Sequence, residues 1–128
     1  MISAGFRSCA PRLQNAIVFG TPTRFGSVSS ELKAYIDSLG GLWVQGKLNG
    51  KAGAAFCSTS TLHGGNESTL LSMYNPLAHL GFIIVPTGYA DASLYKAGTP
   101  YGASSVSNNQ ATPPRPTTSR SDVSKAAG

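Results

Sequence analysis

The stretch AIVFGTPTRFGSVSSELKAYIDSLGG, residues 16–41, constrains this chain more than any other. Ala16, Ile17, Val18 and Phe19 form a continuous apolar run, the pattern of a strand buried on both faces of a parallel sheet. Gly20 and Pro22 end it. Val28, Leu32, Tyr35, Ile36 and Leu39 then recur at helical spacing, with Ser27 as the expected N-cap and Gly40-Gly41 as the expected stop. Lys33 and Asp37, four apart, fall on the outer face. Strand, loop and helix in this order make the unit of an open α/β sheet, whose ligands bind beyond the carboxyl ends of the strands. The Thr-Pro-Thr-Arg-Phe-Gly segment, residues 21–26, therefore stands where such a fold builds its site.

The same unit recurs downstream. Residues 51–57, KAGAAFC, read as a second strand whose small side chains let helices approach. The loop after it, Ser58 through Gly65, is rich in hydroxyls and glycine. Its N–H and OH groups can hold the polar edge of a ligand or an anion, although the same residue types fill ordinary loops. Residues 66–80 then show a helical stripe of Leu70, Met73, Tyr74 and Leu77, with a kink expected at Pro76, and residues 82–85 read as a third strand. Right-handed crossovers would keep all three strands parallel.

A chain of 128 residues makes one domain at most, and 41% hydrophobic with 12% charged residues suits a globular one. No apolar run approaches the roughly 20 residues of a membrane-spanning helix, so the cytoplasm is the default compartment. The net charge of +5 invites a nucleic-acid partner, yet residues 14–105 hold five Lys/Arg against four Asp/Glu. The excess sits in the two ends, with no aromatic residue among the tail's charges, which argues against a nucleic-acid footprint. Cys9 and Cys57 make neither a disulfide framework nor a metal cluster. Residues 1–14 are expected to be a poorly ordered leader, a targeting role staying open. Residues 15–105 form the domain, and residues 106–128, rich in Ser, Pro and Thr, a disordered tail.

Trp43, in a Gly-rich connection, is either a core residue folded over the helix end or an aromatic wall at a site mouth. His79 either caps its helix through the dipole or handles protons beside a ligand, and His63 has the same two readings. Neither histidine has acidic partners at metal-ligand spacing, and there is no Gly-x-Ser-x-Gly motif. The side chains carry little chemistry of their own, so an enzyme built this way would rely on a cofactor.

The segments IVFGTPTRFG, GGLW, GKLNGKAGAAFCSTSTLHGGNEST, PLAHLGFIIVPTGY and GTPYGAS together resemble the WrbA-type NAD(P)H:quinone oxidoreductases, flavodoxin-like FMN proteins. The resemblance runs over residues 15–105. It implies an α/β fold, a flavodoxin-like open parallel sheet with helices on both faces. It implies FMN as cofactor, NADH or NADPH as co-substrate, two-electron reduction of quinones, a role against oxidative stress, and a homotetramer. Pro22, Thr23, Arg24, Phe25 and Gly26 match the flavin-contacting turn, and Ser58, Thr59, Ser60, Thr61, Leu62 and His63 the second flavin-contacting segment. Trp43, His79 and Tyr89 match residues of the substrate cavity.

The family's first strand and the loop that wraps the FMN phosphate have no counterpart in residues 1–14. About three of five strands are therefore expected, with apolar faces exposed where helices would lie. The alternative to the enzyme is a non-catalytic flavodoxin-like fragment that acts through protein association. An electron-carrier flavodoxin fits less well, because such carriers tend to be acidic and lack the GGLW insertion.

Overall fold

Successive strands that step the same way across a sheet, each through a right-handed crossover, leave their helices on one face, and this rule shapes the molecule. The computed structural model describes residues 15–97, 99–108 and 115–116. The expected leader, and the expected tail at residues 109–114 and 117–128, lie outside the described residues. In chain order the elements are β1 (Ala16–Pro22), α1 (Ser30–Ser38), α2 (Gly40–Val44), β2 (Ala52–Thr59), α3 (Asn66–His79), β3 (Ile83–Ile84), α4 (Leu94–Ala97), β4 (Ala103–Val106) and β5 (Arg115–Pro116).

β2 is the central strand. β1 pairs with it in parallel from Ala16↔Ala52 to Pro22↔Ser58. Along its other edge β3 pairs with Ala52 and Gly53, and β4 with residues 56–59, both in parallel. One strand position is thus filled by two pieces with residues 85–102 looped out between them. The third strand, expected over residues 82–85, is shorter because Pro86 has no N–H to give and Gly88 turns the chain at φ +60. β4 completes that position, although no apolar run marks it in the sequence. Arg115–Pro116, inside the segment expected to be disordered, pair antiparallel with β4, and Val106 carries β4 one residue past the expected domain boundary.

Both long helices pack on the same face of the sheet instead of one on each. Phe19, Ala55 and Cys57 of the strands meet Ile36 of α1 and Leu70, Met73 and Leu77 of α3 in one core, with Phe82 edge-on to Phe19 at 5.7 Å. Leu70, Met73 and Leu77 are fully buried, each contributing about 1.5–3 kcal/mol on leaving water. β1 is therefore not buried on both faces: Phe19 and Thr21 point into the core, while Val18 is 63% exposed. Phe56 and Ile83 are exposed on the same open side, as expected where no helix among the described residues covers the sheet.

Two local expectations change. Ser29, not Ser27, caps α1, its hydroxyl accepting from Leu32 N–H. Gly40 and Gly41 do not stop the chain but open α2, which carries Trp43. Lys33 and Asp37 pair on the outer face at 2.7 Å, and Pro76 lies inside α3 without ending it.

Candidate functional site

Both loops expected to carry the site leave the carboxyl ends of neighbouring strands, β1 and β2, and the structure brings them together. Thr23 N–H donates to Ser58 C=O at 2.8 Å, continuing the ladder past the strand ends. Thr21 is buried, and its Oγ1 accepts from Ser29 N–H at 3.0 Å, tying the end of β1 to the start of α1. Between these anchors the chain must reverse. Arg24 and Ser27 exchange backbone hydrogen bonds of 2.8 and 3.1 Å around Phe25 and Gly26. Both central residues have positive φ, +51 at Phe25 and +78 at Gly26, as mirror-image turns require.

A phenylalanine in the left-handed region is strained by about 1–3 kcal/mol, and such strain clusters at binding sites. Phe25 gains no burial in return, since its side chain is fully exposed. The turn thus holds an aromatic ring in solvent at the strand ends. Arg24, beside it, is exposed, and its guanidinium donates only to Thr23 C=O among the described contacts, at 3.3 Å.

The second loop meets the first through glycine. A Cβ built on Gly65, at φ +94, would lie 2.9 Å from the Cα of Gly26 and 3.0 Å from Ser68 Oγ. Ser60, Thr61, Leu62 and His63 are exposed around this junction, and Ser58 is half-buried. Thr59 is turned away: it is buried, and its hydroxyl donates to Thr61 C=O at 2.8 Å, shaping the loop without facing a ligand. Pro22 ends β1, its side chain exposed.

Trp43 and His79 are brought to each other but not to these loops. They line one groove of about 410 Å³ with Ile36, Gly40, Pro76 and Leu80. Both stand at helix ends that return to the amino-terminal edge of the sheet, where Ala16 pairs with Ala52. Tyr89 lies in a third place, on the connection between β3 and β4, its ring stacked on Tyr95 with centroids 5.0 Å apart. A second groove, of about 460 Å³, runs beside the Arg24 turn between α1 and α3, with Ser27, Ser30, Glu31, Ser72 and Pro76 in its walls. Pro76 lines both grooves. The Glu31 carboxylate is held below the usual range, first by its own backbone N–H and then by the Ser29 hydroxyl.

Sequence reasoning missed Thr69 and Ser68. Thr69 is wholly buried on α3, and its hydroxyl meets that of Thr23 at 2.7 Å. The signal was present, for Thr69, Met73 and Leu77 fall four apart on the inner stripe, and a polar residue on such a stripe needs a partner.

The residues at the strand ends suit the ring end of a flavin. An isoalloxazine is an aromatic slab with a polar pyrimidine edge, and it calls for a flat apolar wall plus several donors. The exposed Phe25 ring, the Arg24 guanidinium and the hydroxyls of Thr23, Ser58, Ser60 and Thr61 supply that set.

Comparison with known proteins agrees. The sequence model of the NADPH-dependent FMN reductases matches residues 6–96. Among solved structures, the chain is similar to the flavodoxin, WrbA-like protein from Agrobacterium tumefaciens, at 31% identity and a TM-score of 0.54. That likeness covers 59% of this chain and 48% of the other, so the chain spans about half the length of that protein. The partial open sheet is accordingly of the flavodoxin-like kind.

Proposed function

The chain belongs to the NADPH-dependent FMN reductase family, and from that premise we propose that it serves FMN-dependent NAD(P)H:quinone oxidoreduction in the cytoplasm. The observation that carries this reading is the junction of the two strand-end loops, Gly26 against Gly65, with the strained Phe25 ring held outward beside it. When bound, FMN supplies the hydride-accepting and electron-pair-donating chemistry that the side chains lack.

The chain's own residues would bind and orient the ring. Phe25 would offer a flat wall that excludes water from one side, and Thr23 with the hydroxyls of the second loop would supply partners for the polar edge. Arg24 would supply a permanent positive charge beside the ring, the kind of preorganised charge that favours reduction.

Trp43 and His79 lie at the other end of the sheet, so on this reading they serve the flavin site of a second copy, with Trp43 walling the cavity and a His79 ring nitrogen holding a proton for the quinone oxygen. The groove that presents them together supports this, as does the tetramer that the resemblance implies. Quinone is the proposed electron acceptor, and either nicotinamide cofactor the donor.

A second reading, association without catalysis, is favoured by the open face of the sheet, where Val18, Phe56 and Ile83 are exposed. Titration of the purified chain with FMN, followed by flavin fluorescence and visible absorption, separates the two. Binding that Arg24→Ala weakens supports the enzyme, and NADH- and NADPH-dependent quinone reduction is assayed next. No binding at high micromolar FMN by a folded sample, shown by circular dichroism, leaves association as the function.

A further inference from the structure

A wholly buried hydroxyl must place its proton on an acceptor, and the side-chain oxygen that the Thr69 hydroxyl meets among the described residues is Thr23 Oγ1. Thr69 stands on the inner face of α3, with no exposed surface, and its Oγ1 is 2.7 Å from Thr23 Oγ1 across 46 residues of chain. A threonine inside a helix can donate to the carbonyl three residues back, here that of Asn66, which takes the Cys57 thiol at 3.5 Å, or to the one four back, that of Gly65. That oxygen is already engaged twice, by Thr69 N–H at 3.0 Å and by the Ser68 hydroxyl at 3.2 Å, which uses both of its lone pairs. The Thr69 proton therefore goes to Thr23 Oγ1.

The consequence falls on Thr23. Its oxygen accepts from Thr69, so its own proton must point elsewhere. Thr23 is half-buried at the mouth of the strand-end site, and its backbone N–H is fixed on Ser58 C=O at 2.8 Å. We propose that Thr69 is a positioning residue that orders the Thr23 hydroxyl as a donor toward the strand-end site, where it meets a hydrogen-bond acceptor of the ligand. Resting on the flavin reading, that acceptor is a carbonyl oxygen or ring nitrogen of the isoalloxazine's polar edge. Thr69 touches no ligand itself. It fixes the direction of a hydroxyl that would otherwise rotate and would donate or accept indifferently.

The test is a double-mutant cycle on FMN affinity, read by quenching of flavin fluorescence, with urea unfolding of each variant beside it. Thr69→Val keeps the shape and removes the hydroxyl. It should weaken FMN binding about three- to tenfold, the worth of one ordered neutral hydrogen bond. Thr69→Ser should restore the parent affinity. Thr23→Val should lose as much as Thr69→Val, and the double variant no more than either alone. Should Thr69→Val fail to fold, Thr69→Ala takes its place with the same expected loss.

Unchanged affinity in the Thr69 variants overturns the proposal. So does a loss that is the same size in the Thr23→Val background, since a purely structural role would act there undiminished. A folded parent chain that does not take FMN overturns the flavin reading and this proposal's ligand with it. Binding by the parent with no coupling overturns the role of Thr69 alone.

Discussion

Gly65 leaves no room for a side chain because Gly26 is there: a Cβ on Gly65 would come within 2.9 Å of the Gly26 Cα, tighter than real contacts allow. The two strand-end loops are therefore joined backbone to backbone, and both glycines hold positive φ. Gly65→Ala meets a clash and an unfavourable backbone region at once. It should destabilise the chain by about 1–3 kcal/mol and push the loops apart. Urea unfolding and FMN titration of the same sample should show both losses. Gly41→Ala, whose added Cβ meets nothing within 4 Å, should show neither.

Phe25 yields the opposite pairing of effects. Its φ of +51 costs energy, and its fully exposed ring returns none in the free protein. Phe25→Gly should raise the thermal midpoint, with a gain of about 1 kcal/mol from relieved strain, yet weaken flavin binding by removing the flat wall. A residue kept only for folding would lose on both measures. Thermal unfolding with and without FMN distinguishes these outcomes.

The sequence carried the strand–loop–helix units because each is written locally, in an apolar run, a turn and a stripe. It could not show that β1 has one wet face. Val18 has the same apolar character as its neighbours, and only the common direction of the crossovers puts both helices on the Phe19 side. β4 was hidden for a related reason: Ala-Ser-Ser-Val has little apolar signal, and pairing with residues 56–59 makes it a strand. At the site, Thr23, Arg24 and Phe25 were legible from the position of their turn. The separation of Trp43 and His79 from that turn was not, because spacing in sequence does not reveal which end of a sheet a helix returns to.

On the open face, the Phe56 ring lies directly over Gly20, filling the space a side chain there would need. Phe56 is still 48% exposed, and with Val18 and Ile83 it leaves an apolar surface in water. Such a surface promotes self-association. Phe56→Ser should lower the weight-average mass seen by sedimentation at a given concentration while leaving the helical circular dichroism signal intact. An unchanged mass would show that this face does not join copies of the chain.

Cys57 offers a reading of the core itself. It is buried, its thiol faces Asn66 C=O at 3.5 Å, and desolvation, with a smaller contribution from Glu67, pushes its pKa from an ordinary 9.0 up to about 11. Between those two values the unfolded chain has released the proton and the folded chain keeps it, so the unfolded state binds fewer protons and stability falls as pH rises. The contribution is fully present below pH 9 and is lost progressively toward pH 11. In a Cys9→Ser background, the urea midpoint should therefore drop between pH 8 and pH 10.5 more steeply than in Cys9→Ser/Cys57→Ala, whatever their difference at pH 8. The thiolate is also the reactive form, so at pH 8 iodoacetamide should leave Cys57 untouched in the folded chain and modify it at the rate of opening once urea is added. Fast alkylation without urea would place Cys57 outside the core.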